Sequence, residues 1–172
     1  MENLNKLADL FEILCRKYDQ NELGKKVTQK MFYFFERKGI NLNLRYGIHF
    51  FGPYSSKLDN AMHVLESEGI ISIDTSGITH RITLGNVKKD CSNISDAEAD
   101  IASSVIEIFF PKSPYELEAL ATMDYIANSI LSNGYTEDMI IEKFKEVKGE
   151  KFKQPIIEKT MAELKSLGFI AV

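Results

Sequence analysis

The sequence predicts a mostly α, α+β protein of two lobes, residues 1–90 and 95–172, and three observations carry that expectation. Apolar residues recur at the three-to-four spacing of amphipathic helices over most of the chain, while alternating or β-branched runs are confined to 40–51, 70–73 and 78–84. The stretch from Phe51 to Leu84 reads as a turn, an amphipathic helix and a β-hairpin in immediate succession. Finally, His63–Ile71 and Ala162–Ile170 share the form x-x-L-x-S-x-G-Φ-I, with Φ apolar, so that one helix ending recurs a lobe later.

Taken in order, Asn3 is placed to cap a first helix whose stripe is Leu4, Leu7, Phe11, Leu14 and Cys15, running to Tyr18 before Asp19-Gln20-Asn21-Glu22 interrupts it. A second helix spans about Lys25 to Arg37. Its aromatics Phe32, Tyr33, Phe34 and Phe35 imply burial on nearly all sides, and Gly39 closes it. From Ile40 to Phe51 the alternation of Leu42 and Leu44 with Asn41, Asn43 and Arg45 predicts one or two extended strands. Gly52-Pro53 breaks the chain, and Ser55 or Ser56 caps a helix that buries Leu58, Ala61, Met62 and Leu65 and ends at Gly69. Strands at 70–73 and 78–84, joined by Asp74-Thr75-Ser76-Gly77, complete a hairpin, or wing. The polar run Gly85–Asn93, with Lys88-Lys89-Asp90, is the expected linker between lobes.

In the second lobe Ser95-Asp96 caps a helix to about Phe109, and Ser113-Pro114 opens a long helix to Leu131. Thr136-Glu137-Asp138 starts another, and a last helix covers about 153–166. Three helices followed by the second copy of the repeat have the helical order of a winged-helix fold. The chain therefore reads as tandem winged-helix-like lobes, the first with a small wing and an extended insertion, the second wingless.

A hydrophobic content of 44% over 172 residues is enough for a real core in one domain or two small ones. Net charge is −4, with a pI of about 5.5, so the chain lacks the basic excess by which non-specific nucleic-acid binders release counterions. The distribution is uneven: residues 1–94 hold thirteen Lys/Arg against eleven Asp/Glu, net +2, and 95–172 hold eight against fourteen, net −6. Cys15 lies on an apolar helical stripe and Cys91 in a polar linker, a pattern of neither a disulfide framework nor a zinc knuckle. Met1–Asn5 is no basic leader, and no apolar run nears the ~20 residues that span a bilayer, so a soluble cytoplasmic chain without membrane contacts is expected.

Two motifs carry a family resemblance. Gly24-Lys25-Lys26-Val27-Thr28-Gln29-Lys30-Met31-Phe32-Tyr33-Phe34-Phe35 is similar to an L-Q-K-L-x-Y-F helix, and Phe51-Gly52-Pro53-Tyr54-Ser55-Ser56-Lys57-Leu58 to a Y/F-G-P motif that opens the next one. In these motifs, and in the helix Leu117–Thr122 followed by paired helices ending in L-x-x-L-G-Φ-I, the chain resembles the YwgA-like proteins of bacteria and archaea. More distantly it resembles the SocA/Panacea-type antitoxins. The resemblance implies a helical protein of winged-helix type without established enzymatic activity, and, from the antitoxins, one that holds a toxin or adapts it to a protease.

Candidate site residues follow. The corner formed by Gln29, Lys30, Tyr33, His49, Phe51, Gly52, Pro53 and Tyr54 is the candidate partner-binding surface, although Tyr46, His49, Phe50 and Phe51 read more readily as core than as the lining of a groove. Ser56, Lys57, Asn60 and His63, on a helix whose polar face reads alternatively as a solvated surface, and Arg81, on the hairpin that follows, are the candidate DNA contacts. Lys143, Lys145, Lys148, Lys151 and Lys153 alternate with Glu142, Glu146 and Glu150 as on a solvated helix face. His49, His63 and His80 lie on different elements without acidic or Cys neighbours at ligand spacing, and neither a nucleophile elbow nor a phosphate loop occurs, so no metal, cofactor or enzymatic activity is expected. The expected function is that of a non-enzymatic interaction or regulatory protein acting on a partner protein such as a toxin, protease or regulator. The alternative is a sequence-specific DNA-binding transcriptional regulator, and a homodimer is compatible with both.

Overall fold

The computed structural model describes residues 2–18, 22–88 and 92–172. The expected interruption at Asp19-Gln20-Asn21 and the linker residues Lys89, Asp90 and Cys91 lie outside the described residues. What is described is mostly helical, with two small antiparallel hairpins. The order is α1 (Glu2–Tyr18), α2 (Lys25–Arg37), β1 (Gly47–His49), β2 (Gly52–Tyr54), α3 (Ser56–Ser67), β3 (Ile71–Asp74), β4 (Arg81–Leu84), α4 (Asp96–Phe109), α5 (Pro114–Tyr125), a π-helical continuation Ile126–Leu131, α6 (Glu137–Lys148) and α7 (Gln154–Ser166). Two compact units result, Met1–Gly47 with Tyr54–Pro111, and Ile48–Pro53 with Lys112–Val172. The linker that the sequence marks as a lobe boundary precedes α4, whereas the units divide after Pro111, because α4 packs on α1 and α2.

In the first unit α2 is central. Every residue from Val27 to Phe35 is buried, as its run of aromatics requires, and Phe34 stacks on Phe109 of α4 with centroids 3.9 Å apart and planes 11° apart. Phe32 meets Phe11 of α1 at 4.7 Å. Cys15, on the buried face of α1, has its thiol pushed up to about 12 by desolvation, which leaves it a packing residue. Asn3 lies inside α1 rather than capping it, and its side-chain amide donates to the Leu42 carbonyl at 3.2 Å.

The segment 41–46 is not a strand, contrary to its alternation. Asn43 and Arg45 adopt φ of 53° and 54°, and these left-handed residues turn the amides of Leu42 and Leu44 onto one Glu36 carboxylate oxygen at 3.1 and 3.0 Å. Leu42 and Leu44 still share a buried face, so the alternation reports burial faithfully but not strand geometry. Regular pairing starts only at Gly47.

Ser55 caps α3 as expected, its hydroxyl oxygen accepting from the Leu58 amide at 3.1 Å and its hydroxyl donating to the Leu44 carbonyl at 2.5 Å. The main chain of the same residue is matched by Gln29, whose Nε2 donates to the Ser55 carbonyl at 3.0 Å and whose Oε1 accepts from the Ser55 amide at 2.9 Å. All of these groups are buried. Beyond α3, β3 pairs antiparallel with β4 from Ile71 opposite Leu84 to Asp74 opposite Arg81. The second strand is shorter than its apolar run, since Ile78–His80 belong to the exposed connection. The other side of β4 takes the Leu23–Lys25 segment, through Ile82 N–H to the Leu23 carbonyl at 2.8 Å and Lys25 N–H to the His80 carbonyl at 3.1 Å. Glu66 accepts from the outward Ile73 amide at 3.0 Å, which blunts the remaining edge.

The internal repeat corresponds to one helix ending built twice. Gly69 and Gly168 have φ of 73° and 74°. Ile70 N–H reaches the Leu65 carbonyl and Gly69 N–H that of Glu66; Phe169 N–H reaches Leu164 and Gly168 N–H reaches Lys165, both times a Schellman cap. Phe169 and Ile170 are buried without joining a strand.

In the second unit α5 packs on α6 and α7, and its residues Leu117–Asp124 are all buried. The expected helix to Leu131 changes register into π geometry at Ile126, where Asn128 Nδ2 donates to the Asp124 carbonyl, to Asp124 Oδ1 and to the Phe169 carbonyl at 3.1, 2.9 and 3.2 Å. Ser113 and Glu116 form a reciprocal capping box at the start of α5.

Two outcomes follow from these contacts. Gln29→Ala strands both buried main-chain groups of Ser55 and lowers unfolding free energy by about 2–6 kcal/mol in urea titration, at about one to three for each orphaned group. Glu116, held down to about 2 by the Ser113 amide and then by Lys159, contributes stability that is complete above pH 4.5 and lost as pH falls from there through about 2. The melting-temperature gap between the wild type and Glu116→Gln, read by circular dichroism, is accordingly present at pH 7 and closes by pH 2.

Candidate interaction site

The candidate site belongs to the second unit and is organised by a buried ion cluster. Helix α5 has no solvent-facing side around Glu118, which is 6% exposed, so its carboxylate needs cations from its neighbours. Lys148, the last residue of α6, donates to Glu118 Oε1 at 2.7 Å. Gly149 then takes φ 56°, and the turn brings Lys151 to the same carboxylate, at 2.7 and 2.8 Å from its two oxygens. The lysine run that reads as a solvated face is therefore broken at Lys148, whose side chain is only 3% exposed. Burial lowers the Lys148 ammonium from its ordinary range, while Glu118 acts in the opposite sense.

The tip of the β1–β2 hairpin is seated on this cluster. Lys148 Nζ also donates to the Phe50 carbonyl at 2.8 Å, fixing the backbone of a two-residue turn, Phe50-Phe51, that Gly52 closes at φ 89°. The rings stay outside: Phe50 is 80% exposed and Phe51 38%. Lys151 Nζ lies 5.7, 5.1 and 5.7 Å from the ring centroids of Phe50, Phe51 and Phe152, within cation–π range of all three. Tyr115 packs on Phe152 with centroids 4.5 Å apart and planes tilted by 37°, and donates its hydroxyl to the Lys151 carbonyl at 3.0 Å. The result is a hydrogen-bonded turn carrying an exposed aromatic tip beside a cation.

The sequence-predicted partner-binding residues divide between interior and surface. Gln29, Lys30 and Tyr33 are each 3% exposed, on the buried α2 helix, where Gln29 reads the Ser55 main chain and Tyr33 meets Tyr46 at 5.2 Å. Gly52 and Pro53 are buried and Tyr54 half-buried, its hydroxyl raised by burial and by the neighbouring Asp59. Only His49 and Phe51 of that set are exposed, at the tip. The candidate DNA contacts Ser56, Lys57, Asn60 and His63 share the exposed face of α3, and Arg81 is exposed on β4. The cations among them have protein partners: Lys57 Nζ donates to the Asn43 carbonyl at 3.0 Å, and Arg81 pairs with Glu22 at 2.6 Å. His63 stands 3.9 Å from Asp59 and 3.7 Å from Glu66, so, contrary to the sequence reading, it has acidic neighbours one helical turn to either side, because residues three and four apart share a helix face. Sequence reading missed Glu118, Lys148, Lys151 and Phe152. The available signal was Glu118 itself, an acid inside the otherwise apolar run Leu117–Ala121.

Among the described residues no group of three or more His, Cys, Asp or Glu side chains is arranged to hold a metal ion, and no helix is long and apolar enough to cross a membrane. No protein-family model and no curated protein matches the chain.

The cluster is asymmetric, which sets its response to substitution. Glu118→Ala leaves Lys148 buried beside a second cation and costs about 3–5 kcal/mol, the range for breaking a buried ion pair. Lys148→Met leaves Glu118 held by Lys151 but strands the Phe50 carbonyl, and costs less than Glu118→Ala, about 1–3 kcal/mol, the range for one orphaned acceptor. Chemical unfolding of both variants measures the difference.

Proposed function

We propose that this chain is a non-enzymatic interaction or regulatory protein of winged-helix type, similar to the YwgA-like proteins, that acts by binding a partner protein through the β1–β2 hairpin tip. The observation that carries this reading is Phe50, a large apolar ring left 80% exposed on a turn whose backbone is held by a buried ammonium. A single exposed apolar residue is ordinary on a protein surface. An exposed aromatic on a pre-ordered turn, flanked by Phe51 and a cation, matches the composition of interface anchors, where rigid aromatics bind at low entropic cost. The winged-helix reading of the first unit rests on the order α1, the Leu23–Lys25 segment on β4, α2, α3 and the β3–β4 hairpin. The contacts of Gln29 and Ser55 supply a structural reason for the two motifs on which the resemblance rests. A toxin, a protease or another regulator all fit as partners, and an antitoxin- or adaptor-like role is the corresponding biological form.

The second reading, sequence-specific DNA binding, is favoured by one observation: Ser56, Lys57, Asn60 and His63 form a continuous exposed face on a helix that precedes a hairpin. It is the weaker of the two, since its cations are matched inside the protein and phosphate contacts supply most affinity for DNA.

Quantitative affinity capture from the source cell separates them. Phe50→Ser reduces recovery of the specific partner at least tenfold with the melting temperature unchanged, and Lys57→Glu does not. Salt-sensitive duplex binding lost on Lys57→Glu, with capture indifferent to Phe50→Ser, would establish the DNA reading instead.

A further inference from the structure

We propose that the hairpin tip recognises an acidic–apolar peptide segment of its partner, with a carboxylate and a large apolar side chain on one face, two residues apart in an extended chain. The inference rests on the reading of the tip as the partner surface and adds the chemistry of what it takes. Its basis is a charge count. Glu118 is one carboxylate facing two ammonium groups, Lys148 and Lys151, so the cluster carries a surplus of one positive charge. That surplus is reachable at one place. Lys148 is 3% exposed and spends a remaining hydrogen on the Phe50 carbonyl, whereas the Lys151 side chain is 32% exposed.

The approach to Lys151 is framed by rings. Its ammonium lies 5.7 Å from the centroid of Phe50 and 5.1 Å from that of Phe51, so an anion that reaches it comes against apolar surface. A carboxylate alone satisfies the charge and leaves Phe50 in water; an apolar group alone covers Phe50 and leaves the charge. Side chains at i and i+2 of an extended segment stand about 6.6 Å apart on the same face, close to the separation of the two features. Multiply anionic polymers fit less well, because one surplus charge releases few counterions.

The test uses the full-length chain, ¹⁵N-labelled, titrated with the blocked peptide Gly-Ser-Gly-Phe-Ser-Asp-Ser-Gly-Ser-Gly and with its counterpart carrying Asn for Asp. Saturable shifts confined to residues 48–53 and 144–152, with the Asp peptide at least fivefold tighter than the Asn peptide at low salt, are expected. Lys151→Met keeps the Glu118–Lys148 pair and removes the surplus charge; it abolishes the discrimination between the peptides while the spectrum stays folded. Phe50→Ser weakens both peptides. Equal affinity for the two peptides, shifts elsewhere, absence of binding, or association with phosphatidylserine vesicles in place of the peptide would overturn the inference. If no peptide binds while Phe50→Ser still abolishes partner capture, the partner reading stands and only its acidic–apolar chemistry fails; if capture is indifferent to Phe50→Ser, the reading beneath it fails as well.

Discussion

A buried serine is costly unless its amide, carbonyl and hydroxyl all find partners, and Ser55 is fully buried. Its hydroxyl both caps α3 and donates to Leu44, and its amide and carbonyl are matched by one side chain, Gln29. A primary amide is the one neutral side chain with a donor and an acceptor at the spacing of a peptide group, so Gln29 extends the main-chain pairing of an otherwise irregular segment. Through this exchange the central helix α2, the loop 41–46, the end of β2 and the start of α3 share one set of bonds. Loss of any member leaves another orphaned in the interior.

The second unit satisfies its interior differently. Where the first uses a neutral amide, α5 buries a carboxylate and draws in two ammonium groups, with the hairpin carbonyl of Phe50 as a further acceptor. Neutral groups can be closed off completely, as at Ser55. Charged groups in unequal number cannot, and the imbalance at Glu118 leaves a cation at the surface beside the exposed rings. In the proposed reading stability and recognition share one cluster, in which the buried ions hold the Phe50 carbonyl and the excess charge lies beside the exposed rings.

The candidate site was only half legible in the sequence. Phe51-Gly52-Pro53 marked the turn between β1 and β2, because Gly-Pro punctuates the chain whatever surrounds it. The Gln29-Lys30 motif pointed inward instead: a polar side chain in an aromatic helix signals a buried polar contact as readily as an exposed one, and only Ser55 opposite it decides which. The lysines at 143–153 were ambiguous for the same reason, since i,i+3 and i,i+4 pairing with local glutamates accounts for them without invoking Glu118, thirty residues away.

By itself the sequence determined the mostly helical content, most helix starts through Ser55, Ser95, Ser113 and Thr136, and the endings at Gly69 and Gly168. Caps and Schellman turns are local, with donors and acceptors a few residues apart, so the residues that make them can be read in line. Tertiary structure alone decided that 41–46 winds around Glu36 rather than forming a strand, that α4 joins α1 and α2, that α5 ends in a π turn, and that Lys148 is buried while its neighbours are exposed. Each depends on what lies across space from a residue: a carboxylate, a stacked ring, a tail carbonyl or a buried acid. Periodicity records which face a side chain turns inward, and says nothing of what it meets there.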